Sequence, residues 1–75
     1  MSLLSCRLKA LREEQGYSKT AVAMAVGVTR RAVYGWESGT MTPTIESIIQ
    51  LAKFYQVSTD YLLGLTNERR PTQYV

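Results

Sequence analysis

The sequence predicts an all-α fold, a compact bundle of five short helices. Three observations predict it. Apolar residues recur three and four apart over segments of helical length. Ser18, Thr29, Thr42 and Ser58 stand where helix N-caps are wanted, and Gly16, Gly27, Gly39 and Gly64 where helices must stop. Strand-like apolar alternation never runs as long as six residues. The 75 residues allow one domain. Residues 1–64 read as the folded unit and residues 65–75 as a C-terminal tail.

The first helix is expected over about residues 3–15. Leu4, Leu8, Leu11 and Gln15 share one face, and Arg7, Lys9, Arg12, Glu13 and Glu14 fall between them. Gly16 follows the last turn, where a left-handed glycine is favoured. Ser18 caps a second helix running to about Val26, with Val22, Ala23 and Val26 turned inward, and Gly27 breaks it. Val28 is the apolar residue of the turn. Thr29 caps a third helix through about Glu37, with Val33 and Trp36 three apart on its core face. Gly39 ends it, and a loop Thr40–Thr42 follows. Pro43 suits a first helical position with Thr42 as its cap. Ile45, Ile48, Ile49 and Ala52 then form the stripe of a fourth helix ending near Tyr55. Val57-Ser58 turns the chain, and Ser58 caps a short fifth helix through Leu62 or Leu63. The remainder, with Arg69-Arg70-Pro71, is polar and is expected to be extended or loosely docked.

Composition removes several functions. There is no histidine, so His-based acid–base chemistry and His-ligated metals are absent. A single cysteine, Cys6, forms no intrachain disulfide and no Cys-cluster metal site, and it fits a reducing cytoplasm. No apolar run approaches the ~20 residues of a membrane span, and the start lacks the pattern of a signal peptide. No phosphate-binding glycine loop and no internal repeat is present. Glu13-Glu14 reads as a solvent-facing pair, so no catalytic set and no cofactor is expected. Hydrophobic residues make up 45% and charged residues 20%, a globular balance. The net charge of +3 is compatible with a nucleic-acid partner without establishing one.

Two short helices joined by Val26-Gly27-Val28-Thr29 have the dimensions of a helix-turn-helix. Lys19 falls in the first turn of the second helix, and Arg30 and Arg31 in the first turn of the third. A helix start carries partial positive charge and disfavours cations by about 0.3–1 kcal/mol each. Neither first turn holds an acid. This pattern suits an anion: phosphate oxygens would meet Lys19, and Arg30 and Arg31 have the reach for guanine O6 and N7. The plainer reading of each cation, a solvated surface charge, stands beside this one. Trp36 reads as core rather than as a base-stacking aromatic. Tyr34 faces away from Val33, toward backbone or base.

Leu8-Lys9-Ala10-Leu11-Arg12-Glu13-Glu14-Gln15-Gly16-Tyr17-Ser18 resembles the opening of the phage-repressor-like helix-turn-helix family, which includes lambda repressor, Cro and the Xre regulators. The resemblance continues through Val26-Gly27-Val28-Thr29, Val33 with Trp36-Glu37-Ser38-Gly39, Pro43, Leu51-Ala52 and Val57-Ser58-Thr59-Asp60-Tyr61-Leu62-Leu63-Gly64. It implies a five-helix lambda-repressor-like domain that binds double-stranded operator DNA, commonly as a homodimer, with the third helix (about 29–37) in the major groove. It places Arg30, Arg31 and Gly35 in base-facing slots with Tyr34 beside them. It places Ser18, Lys19, Thr29, Ser38 and Thr40 near phosphates. It pairs Arg12 with Glu37, tying the first helix to the end of the third. It assigns dimer contacts to the fifth helix and nearby loops, here Tyr55, Val57, Tyr61 and Leu65.

The chain departs from the family in three places. Lys19 replaces the usual Gln, which makes binding more salt-dependent. Gly35 leaves an outward slot without a side chain and costs the helix about 1 kcal/mol against alanine. Thr20, Ala21, Met24 and Ala25 stand where relatives carry Glu or Lys. The expected function is sequence-specific DNA binding by a cytoplasmic transcriptional regulator, most often a repressor. A dimer would set two recognition helices about 34 Å apart. On the order of six cationic contacts would make affinity fall steeply between about 50 and 200 mM salt. No ligand-sensing domain is read in the sequence, so regulation is expected from abundance, a partner or an antagonist. The alternative is a protein-interaction module of the same fold, such as an antagonist or antitoxin-type partner, using the second helix and the Tyr74-Val75 tail. The first helix carries charges too mixed and too few for a membrane surface.

Overall fold

Every helix of the computed structural model, which describes residues 2–70, begins on a hydroxyl. Helices α1 (Leu3–Glu14), α2 (Lys19–Val26), α3 (Arg30–Ser38), α4 (Ile45–Tyr55) and α5 (Thr59–Leu63) follow Ser2, Ser18, Thr29, Thr44 and Ser58. Each cap oxygen accepts from the backbone N–H three residues on, at 2.9–3.2 Å. An N-terminal donor that the helix cannot satisfy is thereby paired. Gly27, Gly39 and Gly64 stop α2, α3 and α5 in the left-handed conformation. Gln56 does the same for α4 at φ 59°, without a glycine to announce it.

The core is one cluster. Leu8 and Leu11 of α1 meet Val22 and Ala23 of α2, Val33 and Trp36 of α3, Leu51, Ala52 and Tyr55 of α4, and Tyr61 and Leu62 of α5. Helix α3 packs on α1 and α2, and α5 packs on α1 and α4. Among the described residues no strand forms.

Three expectations change. The fourth helix starts later: Thr44, not Thr42, is its cap, and Pro43 is buried just ahead of it. Its inward stripe is Ile48, Leu51, Ala52 and Tyr55, while Ile45 is 74% exposed and Ile49 also faces out. The isoleucines alone suggested a different phase. Burial of Leu51 and Tyr55 removes more apolar surface from water, and that sets the rotation.

The second change concerns the segment after residue 64. Leu65–Arg70 is not loosely docked. Arg7 donates to the carbonyls of Tyr61 and Thr66 and to Asn67 Oδ1. The Ser58 N–H donates to the Arg69 carbonyl at 2.9 Å. Arg69 donates to Tyr61 Oη and, through both terminal nitrogens, to Glu14. The guanidiniums of Arg7 and Arg69 lie 4.1 and 5.3 Å from the Tyr61 ring centroid, within cation–π range. These contacts join residues 65–70 to α1 and α5. Tyr74-Val75 lies outside the described residues.

The third change concerns the residues expected at a dimer interface. Tyr55, Val57 and Tyr61 are 3%, 5% and 8% exposed and belong to the protomer's own core. Leu65 alone of the four is exposed.

Candidate nucleic-acid interface

The turn between α2 and α3 is built by local chemistry. Gly27 takes φ 76° and ψ 35°, a conformation that costs glycine little and other residues more. The Val28 N–H then reaches back to the Ala23 carbonyl at 2.9 Å, the closing bond of a Schellman stop. Val26 and Val28 pack against the core and hold the crossing of the two helices. Thr29 caps α3 at once. Nothing in this connection is slack, so α3 is held at a fixed angle with its outer face open.

That face carries the charge. Arg30, Arg31 and Tyr34 are exposed, and Lys19 is half-buried at the start of α2. Neither first turn contains an acid, whereas α4 and α5 begin with Glu46 and Asp60 as the helix dipole favours. Among the described residues the ion pairs are Arg12–Glu37 and Arg69–Glu14. Lys19, Arg30 and Arg31 take part in neither. The hydroxyls of Ser18 and Thr29 accept from Ala21 and Ala32 N–H groups. Each keeps its own proton to donate outward. In the loop after α3, Ser38 Oγ lies 3.0 Å from Thr40 Oγ1 and donates to the Gly35 carbonyl. The α2–α3 unit thus carries helix starts, cations and hydroxyl donors, the kinds of group that contact phosphate.

Arg12 and Glu37 support this unit from beneath. Arg12 Nε donates to Glu37 Oε2 at 2.8 Å, and a second nitrogen donates to Oε1 at 3.1 Å. Arg12 also donates to the Tyr17 carbonyl at 3.0 Å. Both side chains are nearly buried. The hydrogen bonds that Arg12 donates to Glu37 raise its pKa above the ordinary value. The pair ties α1 to the last turn of α3 and fixes where that helix points. Burial pushes the neighbouring Tyr55 phenol well up from its ordinary value, so it stays neutral.

Gly35 is not an open slot. It is buried, because Met41 folds over it. Sequence reasoning missed this contact, since no local pattern links a helix glycine to a loop methionine. Leu3 and Leu63 were also missed: with Leu65 they expose apolar surface where α1 begins and α5 ends. Met24, 79% exposed on α2, adds a separate apolar point.

A helix-turn-helix family model matches residues 8–62. The chain is 32% identical over 65 residues to the uncharacterized HTH-type transcriptional regulator YobD of Bacillus subtilis, covering 87% of this chain and 58% of that one. The structure is similar to the P22 c2 repressor protein in complex with synthetic operator 9T, from Salmonella phage P22, with TM-score 0.79 and 33% identity. That match covers 84% of this chain and 96% of the other. It is also similar to the biofilm regulator SinR of Bacillus subtilis in complex with DNA, at TM-score 0.74 and 30% identity, over 80% and 97% of the two chains. The chain spans about half the length of the curated relatives it matches.

Proposed function

The chain belongs to the helix-turn-helix family, and from that premise we propose that it binds double-stranded DNA sequence-specifically and represses transcription. One observation carries the reading: Arg30 and Arg31 stand exposed at the first turn of a rigidly presented helix, against its dipole and outside the ion pairs of the described residues. With α3 in the major groove, Arg30 and Arg31 contact guanine edges and Tyr34 a neighbouring base. Ser18, Lys19, Thr29, Ser38 and Thr40 hold phosphates and set the register. The activity is binding without catalysis, and the partner is operator DNA in the cytoplasm. No helix of the described residues is long and apolar enough to cross a membrane.

The protein acts as a homodimer through Leu3, Leu63 and Leu65. Leu3 and Leu63 line one cavity, Leu3 packs on Gly64, and Leu65 follows that glycine in the chain. Sedimentation over a concentration range checks this; a monomer at every concentration and on DNA rejects it.

The decisive experiment selects bound duplexes from a random pool and compares wild type with Arg30→Ala/Arg31→Ala on the selected site. Two lost bidentate contacts at about 1 kcal/mol each or more weaken binding at least about 30-fold. Equal binding by the double variant overturns the assignment.

A further inference from the structure

Resting on the DNA-binding reading above, we infer that Met41 is a specificity-determining residue: it continues the DNA-facing surface of α3 beyond Arg31 and reads a thymine methyl group. Arg31 and Gly35 are four residues apart and share one helix face, and Arg31 is exposed on it. A side chain at position 35 would extend that face by one turn. Met41 occupies the place instead. A Cβ on Gly35 would lie 2.5 Å from Met41 Sδ and 2.6 Å from its Cγ, so a side chain there would have to displace the methionine. The placement is anchored by the main chain. The Gly35 carbonyl accepts from the N–H groups of Gly39, Thr40 and Met41, the last two at 3.0 Å, and from Ser38 Oγ. The loop is therefore strapped to the helix, and Met41 enters from it at a set position.

Met41 is nevertheless 47% exposed. It covers the glycine with one side, and the rest of it is shared between solvent and the cavity that it lines with Leu3 and Leu63. The surface beyond Arg31 is thus a thioether, which offers a base no strong donor or acceptor. In the major groove, the base-edge feature that suits an apolar side chain is the C5-methyl of thymine. The methionine chain is unbranched and polarizable and adapts its end to such a contact.

The test is selection from a random duplex pool with wild type, Met41→Leu and Met41→Ala, followed by thymine-to-uracil replacement at each selected thymine. Uracil keeps the pairing edge and removes only the methyl. Wild type is expected to show one thymine whose replacement weakens binding about fourfold, the worth of one buried methyl. Met41→Leu keeps that sensitivity. Met41→Ala loses it and the thymine preference there, while the guanine preferences set by Arg30 and Arg31 remain. Uracil sensitivity unchanged in Met41→Ala, or absent in wild type, overturns the inference and leaves the DNA-binding reading intact. Loss of every preference together in Met41→Ala shows a role in holding the loop only, which also overturns it. A pool that wild type leaves unenriched removes the DNA-binding reading and this inference with it.

Discussion

Arginines in two regions of this molecule live under opposite conditions. Arg7 and Arg69 beside α1 and α5, and Arg12 between α1 and α3, are each engaged by carbonyls, carboxylates or an aromatic face. At the α2–α3 end, Arg30 and Arg31 extend into solvent from a helix start that repels them. The same residue type builds the fold in one place and is left available in the other. Availability at a helix start, rather than positive charge as such, marks the proposed binding surface. Among the described residues two of the nine cations form ion pairs, and Arg30 and Arg31 differ from other unpaired ones in standing exposed at a helix start that holds no acid.

Substitutions on each side sharpen the contrast. The largest effect is expected at Arg12. Arg12→Ala leaves the Glu37 carboxylate buried without its partner, which costs about 3–5 kcal/mol. Replacing both by methionine removes the orphaned charge, so Arg12→Met/Glu37→Met lies closer to wild type in urea unfolding. A double variant as unstable as Arg12→Ala would place the cost in packing instead.

Arg7→Ala comes next. It removes the donors to Tyr61, Thr66 and Asn67 and the stack on Tyr61. Hydrogen bonds from a charged donor are worth about 1.5–3 kcal/mol, and a loss of that order is expected. Hydrogen exchange locates it: protection of the Ser58 amide, which donates to Arg69, falls further than that of α2 or α3.

On the other side the sign reverses. Arg30→Glu places an acid where the α3 dipole wants one, and stability rises by about 0.3–1 kcal/mol. DNA binding is lost in the same variant. Denaturation and gel shift on one preparation check both halves. A fall in stability would mean that Arg30 is engaged in the fold after all.

The smallest effect is a pH response at Glu14. The hydrogen bond from Arg69 holds its carboxyl below the ordinary value of 4.5. Its folded pKa is depressed, so its contribution is present above the unfolded value and fades as pH falls through the folded one. Acidification below about pH 4.5 is therefore expected to loosen residues 65–70, followed by the NMR shifts of Arg69, while α2 and α3 do not respond. Glu14→Gln abolishes the response.

The parts of this architecture legible in advance are those settled within one turn of chain. Ser18, Thr29 and Ser58 are caps because a hydroxyl reaches the N–H three residues on, whatever lies elsewhere. Gly27 and Gly39 are stops because a left-handed backbone favours glycine. The phase of α4 was not legible, because Ile45, Ile48, Ile49, Leu51 and Ala52 offer more than one apolar stripe. Gln56 gave no signal for its left-handed stop. The segment 65–70 reads as solvated from its polar composition, yet it docks through Arg7 and Arg69, whose partners lie up to 60 residues away in sequence. The resemblance assigns Tyr55, Val57 and Tyr61 to a second subunit, and the sequence does not show that they are also buried within the protomer.

From the order of residues alone follow five helices, the N-caps of α2, α3 and α5, the tight bend before α3 and the cations set against two helix dipoles. All of these depend on neighbours a few positions apart. Folding in three dimensions decided which arginines acquire partners, which face of α4 turns inward, and that Met41 takes the space Gly35 leaves. Those outcomes depend on groups distant in the chain competing for one interior. Arg12 and Glu37, 25 positions apart, meet only because α1 and α3 bury a common core.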